Sequence, residues 1–233
     1  MHLENHMETG RNCSDSQRRQ CGGGLFRRHQ DTASRHDHDI PGERTAGNCT
    51  GCRTRRYKRR PEKGINLNIL LSLRDLLRME GYTVEVTRDS DKSIHDDGVE
   101  GIANQKSSDM DNRLALFNQY DNAVCISVHQ NQFTDPAYSG AQMFYSDNVK
   151  RSGTLAQCLQ NAFVTQLQPD NAREIKQCGK ELYLCYFSEN PTVMVECGFL
   201  SNPDEAALLE SEEYQQKVAF TIFSGLQQYL EEK

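Results

Sequence analysis

The sequence predicts an α/β domain with a mixed, largely parallel sheet flanked by helices on both faces, confined to residues 62–233. Three observations predict it. Apolar runs at helical spacing alternate with short β-rich runs. Two of the short runs, 123–128 and 192–196, are almost continuously apolar, as in strands buried on both faces. Composition changes sharply near residue 61, so only the second part has the apolar content for a core.

Ile65, Ile69, Leu70, Leu73, Leu76 and Leu77 recur at helical spacing, and Gly81 stops the run. Residues 82–88 alternate and are rich in β-branched side chains, which predicts a strand. Residues 89–107 are polar and read as a loop. Ser108 and Asp111 resemble a capping box opening a helix through Leu114, Leu116 and Phe117 to Tyr120. Strands follow at 123–128 and 141–146, then a helix over 152–167 with Leu155, Leu159, Ala162 and Phe163 on one side. Residues 182–186 read as a short strand, and 192–196 as a buried strand after Pro191. Asn202-Pro203-Asp204-Glu205 has the form of an N-cap, a first-turn proline and two first-turn acids. An amphipathic helix over 214–230 ends the pattern.

Residues 1–61 hold 13 Lys+Arg against 7 Asp+Glu, whereas residues 62–233 hold 14 against 26. The first part also carries five of the seven histidines and four of the nine cysteines. Its large apolar residues, Leu3, Leu25, Phe26, Ile40 and Tyr57, follow no period. Such a segment buries too little surface to offset its ordering entropy and is expected to be disordered or non-native. No run of about 18 apolar residues occurs, so no membrane span is expected, and no export signal is visible. Cys125, Cys158, Cys185 and Cys197 lie in apolar patterns and read as buried thiols, so disulfide stapling is not expected.

Three polar residues stand at the ends of predicted elements: Glu62 before the first helix, His129 after the strand 123–128, and Glu196 closing the strand 192–196. An imidazole and a carboxylate suit Zn²⁺, and a second carboxylate suits a general base. On spacing alone, a lone histidine after a strand is more often structural, and a glutamate opening a helix usually complements the dipole.

The surrounding motifs add to this. "EKGINLNILLSLRDLLRMEGYTVEVTR", "DNRLALFN", "ISVHQN", "SGAQMFY" and "PTVMVECGFLSNPDEAALL" occur in order across nearly all of 62–233. Together they resemble the amidase 3 family, the zinc-dependent N-acetylmuramoyl-L-alanine amidases of spore-cortex and cell-wall type. The resemblance implies that Glu62 and His129 are zinc ligands and that Glu196 is the catalytic acid/base. For Arg113 it implies only a structural or substrate-contacting role. It further implies a peptidoglycan substrate, a Zn²⁺ cofactor, a cell-envelope or extracellular location and a monomer. The bond cut would join N-acetylmuramic acid to L-alanine, by water acting without a covalent intermediate. A catalytically impaired relative that only binds peptidoglycan is the alternative.

One family element is missing: a zinc-ligand histidine in "D-[AP]-G-H-G-G" after the first strand. His29, His36 and His38 do not match it, and no strand is legible before them, so the sheet is expected to lack its first strand and the chain to be poorly stable and weakly active or inactive. Read one base out of frame, the codons for Gly47 to Tyr57 accommodate Val-Ile-Val-Leu-Asp-Ala-Gly-His-Gly-Gly, with the histidine spanning Thr54 and Arg55. Residues up to about 60 are therefore expected to be translated out of frame, which accounts for their composition without a function. Competing readings of this segment are weaker. Cys49-x-x-Cys52 lacks the second pair of a zinc knuckle, and the basic run 53–60 has no folded motif, so no nucleic-acid partner is expected. Sequencing the gene across residues 40–64 is expected to show the strand and motif in the shifted frame; codons that spell neither would end the idea.

Overall fold

The computed structural model describes residues 25–29 and 61–232. In chain order the elements are β1 (Leu25–His29), α1 (Pro61–Met79), β2 (Thr83–Val86), α2 (Ile102–Phe117), β3 (Val124–Asn131) and β4 (Gln142–Tyr145). Then follow α3 (Arg151–Gln166), β5 (Lys176–Gln177), α4 (Tyr183–Phe187), β6 (Thr192–Phe199), α5 (Pro203–Leu209) and α6 (Glu212–Glu231). One six-stranded sheet has the order β2-β1-β3-β6-β4-β5. Only the β4–β6 pair is antiparallel.

Helices cover both faces, as the apolar strands require. On one face α1, α3 and α6 bury Ile69, Leu73, Leu159, Phe163, Ile222 and Leu226 against Ile126, Val128, Val193 and Val195. On the other, α2 and α4 form two smaller clusters, one around Phe117, Cys125 and Leu184 and one around Cys178, Cys185 and Met194. Such burial stabilises by roughly 25 cal/mol per Å² of apolar surface, so the larger face supplies most of the core. At α5 the anticipated cap is present: the Asn202 side chain accepts hydrogen bonds from the Asp204 and Glu205 amides, with Pro203 in the first turn.

Three expectations are corrected. The slot of the first strand is filled, because β1 lies between β2 and β3 and pairs in parallel with both, and His29 therefore does end a strand. The physical reason is that β2 and β3 both present unpaired backbone toward that slot, and a strand with only two apolar residues still satisfies it. Residues 182–186 are not a strand: α4 forms there. The segment has no β-branched residue, and a helical turn buries Leu184 and Cys185 in two neighbouring clusters. Finally, α2 starts at Ile102, six residues before the expected cap. The Ser108 hydroxyl bonds the backbone and carboxylate of Asp96 and caps nothing. His36, His38, Cys49 and Cys52, and the codon reading at Gly47 to Tyr57, lie outside the described residues.

The helices α3 and α6 approach closely at Gly225, where an added Cβ would stand 2.9 Å from Leu159 Cα and 3.0 Å from the Cys158 carbonyl oxygen. These obstacles are backbone and cannot rotate away. Gly225→Ala is expected to cost about 1–3 kcal/mol by overpacking, read as a lowered urea midpoint with an unchanged slope.

Candidate active site

Pairing and alternation place the candidate residues. β3 and β6 are parallel neighbours, with Ser127 opposite Met194 and His129 opposite Glu196. Successive strand residues face opposite sides. Val124, Ile126 and Val128 enter the large core, so Cys125, Ser127 and His129 take the other face. By the same rule Met194 and Glu196 share that face. His129 and Glu196 thus stand side by side in the C-terminal halves of two parallel strands, just before a register shift between His129 and Asn131.

Glu62 arrives from a different element. The first turn of α1 brings its Oε1 to 3.9 Å from His129 Nδ1. Asn66, one turn further along α1, accepts a hydrogen bond of 3.1 Å from Gln130 Nε2, and both side chains are buried. That bond ties the start of α1 to the end of β3 and sets where Glu62 lies. On its other side the His129 ring meets the Ser127 hydroxyl, with Nε2 3.0 Å from Oγ. Burial first, then the charge of Arg113, pushes the His129 pKa down to about 3. The ring is neutral at pH 7, so its contact with Glu62 is not an ion pair, and a neutral ring is the form that ligates metals.

Donor chemistry and spacing test whether zinc fits. Two ligands of a tetrahedral zinc at about 2.0–2.1 Å would lie about 3.3 Å apart, and the 3.9 Å between Nδ1 and Oε1 closes to that with a small side-chain rotation. These two donors fit, although among the described residues no group of three His, Cys, Asp or Glu could hold a metal ion. The strand β1 brings His29 into register with Ser127, two residues from His129 along β3. A surface depression of about 640 Å³, lined by Tyr138, Gln168, Arg173 and Tyr214 among others, includes none of Glu62, His129 and Glu196.

Of the residues beneath and beside the site, Arg113 alone was singled out by the sequence, with a structural or substrate-contacting role. Arg113, 1 % exposed, pairs with Asp109 through Nε and through Nη2 at 3.1 Å, and Nη1 donates to Thr87 Oγ1 at 3.2 Å. Its burial supports the structural role. Asp109 also accepts from Ser93 Oγ and the Ile94 amide, both at 2.8 Å, which pins the loop before α2. Burial raises the Asp109 pKa, but the bonds from Arg113, Ile94 and Ser93 outweigh it and hold the carboxyl below its usual range. On β4, Gln142 lies in register with Glu196, and Arg173 Nη1 donates to Gln142 Oε1 at 3.2 Å. A sequence signal existed for Ser127, two residues before His129 on a strand. None existed for Gln142 and Arg173, which are 31 residues apart.

The sequence profile of the N-acetylmuramoyl-L-alanine amidase family, Amidase_3, matches residues 38–228. The germination-specific N-acetylmuramoyl-L-alanine amidase of Bacillus subtilis is 34% identical over 172 residues, which cover 74% of this chain and 72% of that protein. Among solved structures, the CwlD amidase of Clostridioides difficile, in complex with the GerS lipoprotein, aligns with a TM-score of 0.74 and 30% identity. The alignment covers 91% of this chain and all of that one. An N-acetylmuramoyl-L-alanine amidase from Clostridium difficile 630 aligns with a TM-score of 0.68 and 25% identity, with the same coverage.

The Arg113–Asp109 pair gives a stability test. Asp109→Asn would leave the Arg113 guanidinium buried without its counter-charge, at a cost of about 3–5 kcal/mol. Because the folded pKa of Asp109 is depressed, its contribution is present above the unfolded value near 4 and is lost as pH falls through the folded one. Urea unfolding is expected to show a wide gap between variant and parent at pH 7 that narrows steadily below pH 4.

Proposed function

Because this chain belongs to the N-acetylmuramoyl-L-alanine amidase family, we propose that it hydrolyses the amide bond between N-acetylmuramic acid and the first L-alanine of the peptidoglycan stem peptide. The observation that carries this reading is the in-register placement of Glu196 beside a buried neutral His129 that touches Glu62. In the proposed site His129 and Glu62 hold Zn²⁺. The ion supplies Lewis acidity, enough to lower the pKa of water toward about 7. Glu196 accepts the proton of the attacking water at a carboxylate oxygen and returns it to the departing amine nitrogen. The carbonyl carbon gains the oxygen of water as its bond to nitrogen breaks, leaving a free lactyl carboxylate and a free L-alanine amine. Ser127 holds the His129 ring and, with Asn66 and Gln130, keeps the two donors at their spacing.

For the third donor we propose the shifted-frame histidine encoded across Thr54 and Arg55, within a segment the family profile spans. A chain restored to that frame is expected to hold more zinc than this one, read by metal analysis of the purified proteins. The proposed substrate, and the likeness to a probable cell wall amidase of Staphylococcus epidermidis, support action in the cell envelope or outside the cell. No helix among the described residues is long and apolar enough to cross a membrane.

The decisive experiment follows new L-alanine amino groups released from purified peptidoglycan in the presence of zinc. Glu196→Gln is expected to slow release by about 10²- to 10⁴-fold, the usual contribution of a general base, with zinc content unchanged. His129→Ala is expected to lose both. Parent-like turnover by Glu196→Gln would overturn the assignment, and a zinc-loaded parent that binds peptidoglycan without cutting it would favour a binding protein.

A further inference from the structure

Five cysteines lie among the described residues, all reduced and buried, and two of them, Cys178 and Cys185, share one small buried cluster. Cys178 directly follows the edge strand β5, and its amide donates to the Tyr145 carbonyl at 2.8 Å. The chain then turns back: the Gly179 amide donates to Glu181 Oε1 at 2.7 Å, and the Leu182 amide donates to the Gly179 carbonyl at 3.2 Å. This turn returns Cys185, on α4, to the neighbourhood of Cys178, and the two share one buried cluster. Both side chains pack on Met194, two residues before Glu196 on the same face of β6.

The other three thiols are each engaged elsewhere. Cys125 donates to the Phe117 carbonyl at 3.6 Å and Cys197 to the Val195 carbonyl at 3.8 Å, while Cys158 bonds Glu232.

We propose that Cys178 and Cys185 form a dithiol–disulfide pair, oxidised by a low-molecular-weight disulfide, whose bond would close residues 178–185 into a loop packed beside the strand that carries Glu196. The Cys178 thiolate attacks one sulfur of the small disulfide and expels a small thiolate, giving a mixed disulfide. The Cys185 thiolate then attacks Cys178 Sγ and expels the second small thiolate. Two protein thiols lose two electrons and two protons, and the small disulfide becomes two thiols.

The order of attack follows from the surroundings. Cys178, at 8 % exposure against 3 % for Cys185, is the more accessible. The hydrogen bond from Cys185 holds its thiol below the ordinary value, whereas burial pushes Cys158 up to about 11 and Cys197 upward. An oxidising cell envelope, as proposed above, is where such a bond persists. The chemistry itself does not depend on amidase activity, so its test stands apart from that reading.

The test uses the full reduced chain, exposed to oxidised glutathione, alkylated under denaturing conditions and mapped by tryptic peptide mass. Trypsin cuts after Lys180, between the two cysteines. The expected result is a pair of peptides joined at Cys178 and Cys185, two hydrogens lighter than their sum, with Cys125, Cys158 and Cys197 alkylated. Fragmentation separates Cys185 from Cys197, which share a peptide. Cys185→Ser is expected to arrest the reaction with glutathione held on Cys178. If that variant fails to fold, the parent's map decides alone. Recovery of Cys178 and Cys185 as separate alkylated residues, or joined to other cysteines, would overturn the proposal.

Discussion

The pairing of β3 with β6 is the constraint on which the rest depends. Two parallel strands in register place equivalent residues side by side, and alternation assigns them a common face. Because Val128 and Val195 must enter the large core, their successors His129 and Glu196 must leave it. A slip of one residue in β6 would send Glu196 into that core and bring Cys197 beside the histidine. The candidate chemistry is therefore fixed by the hydrophobic pattern of two strands before any polar contact is made. Polar contacts then refine it: Gln130, on the opposite face from His129, reaches Asn66 and so locates Glu62.

The face that carries the candidate site is the weaker half of the core. Its apolar clusters are small, and much of the space is taken by the Arg113–Asp109 pair with Thr87, Ser93 and Ile94. A buried ion pair recovers its desolvation cost only when the remaining donors and acceptors are bonded, and here several are. The arrangement has a chemical consequence. The Arg113 charge lies close enough to disfavour a proton on His129, which adds to the effect of burial and keeps the ring available as a donor. One buried cation thus serves both the anchoring of the loop before α2 and the state of the imidazole.

Much of this was legible in the sequence because it rests on periodicity. The helix repeat from Ile65 to Leu77 and the apolar runs of β3 and β6 specify elements by themselves, and Asn202-Pro203 specifies a helix start. Glu62, His129 and Glu196 were legible as polar residues bounding apolar runs, although β3 and β6 continue past the latter two to Asn131 and Phe199. What escaped was set by contacts distant in sequence. Residues 182–186 are apolar with no period, and only the neighbouring clusters decide that they coil into α4. Residues 102–107 are polar yet helical, because Ser108 and Asn112 hold the preceding loop through Asp96. Gln142, Arg173 and the Cys178–Cys185 contact join parts of the chain that no short window spans.

The strand slot between β2 and β3 shows how far tertiary demand can outrun local sequence. β2 touches the sheet only through β1. Without a strand there, β2 would have no strand neighbour, and β3 would carry an open edge beside the candidate site. The segment that fills the slot, Leu-Phe-Arg-Arg-His, contains no β-branched residue, the type enriched in strands with neighbours on both sides. The family profile begins at residue 38, beyond this strand. The shifted-frame reading would put Val-Ile-Val-Leu, a run suited to a buried strand, inside the matched span, with Asp-Ala-Gly between it and the histidine. The fold's requirement and the donor site's requirement would then be met by one stretch of chain, as a strand that both closes the sheet and ends at the metal.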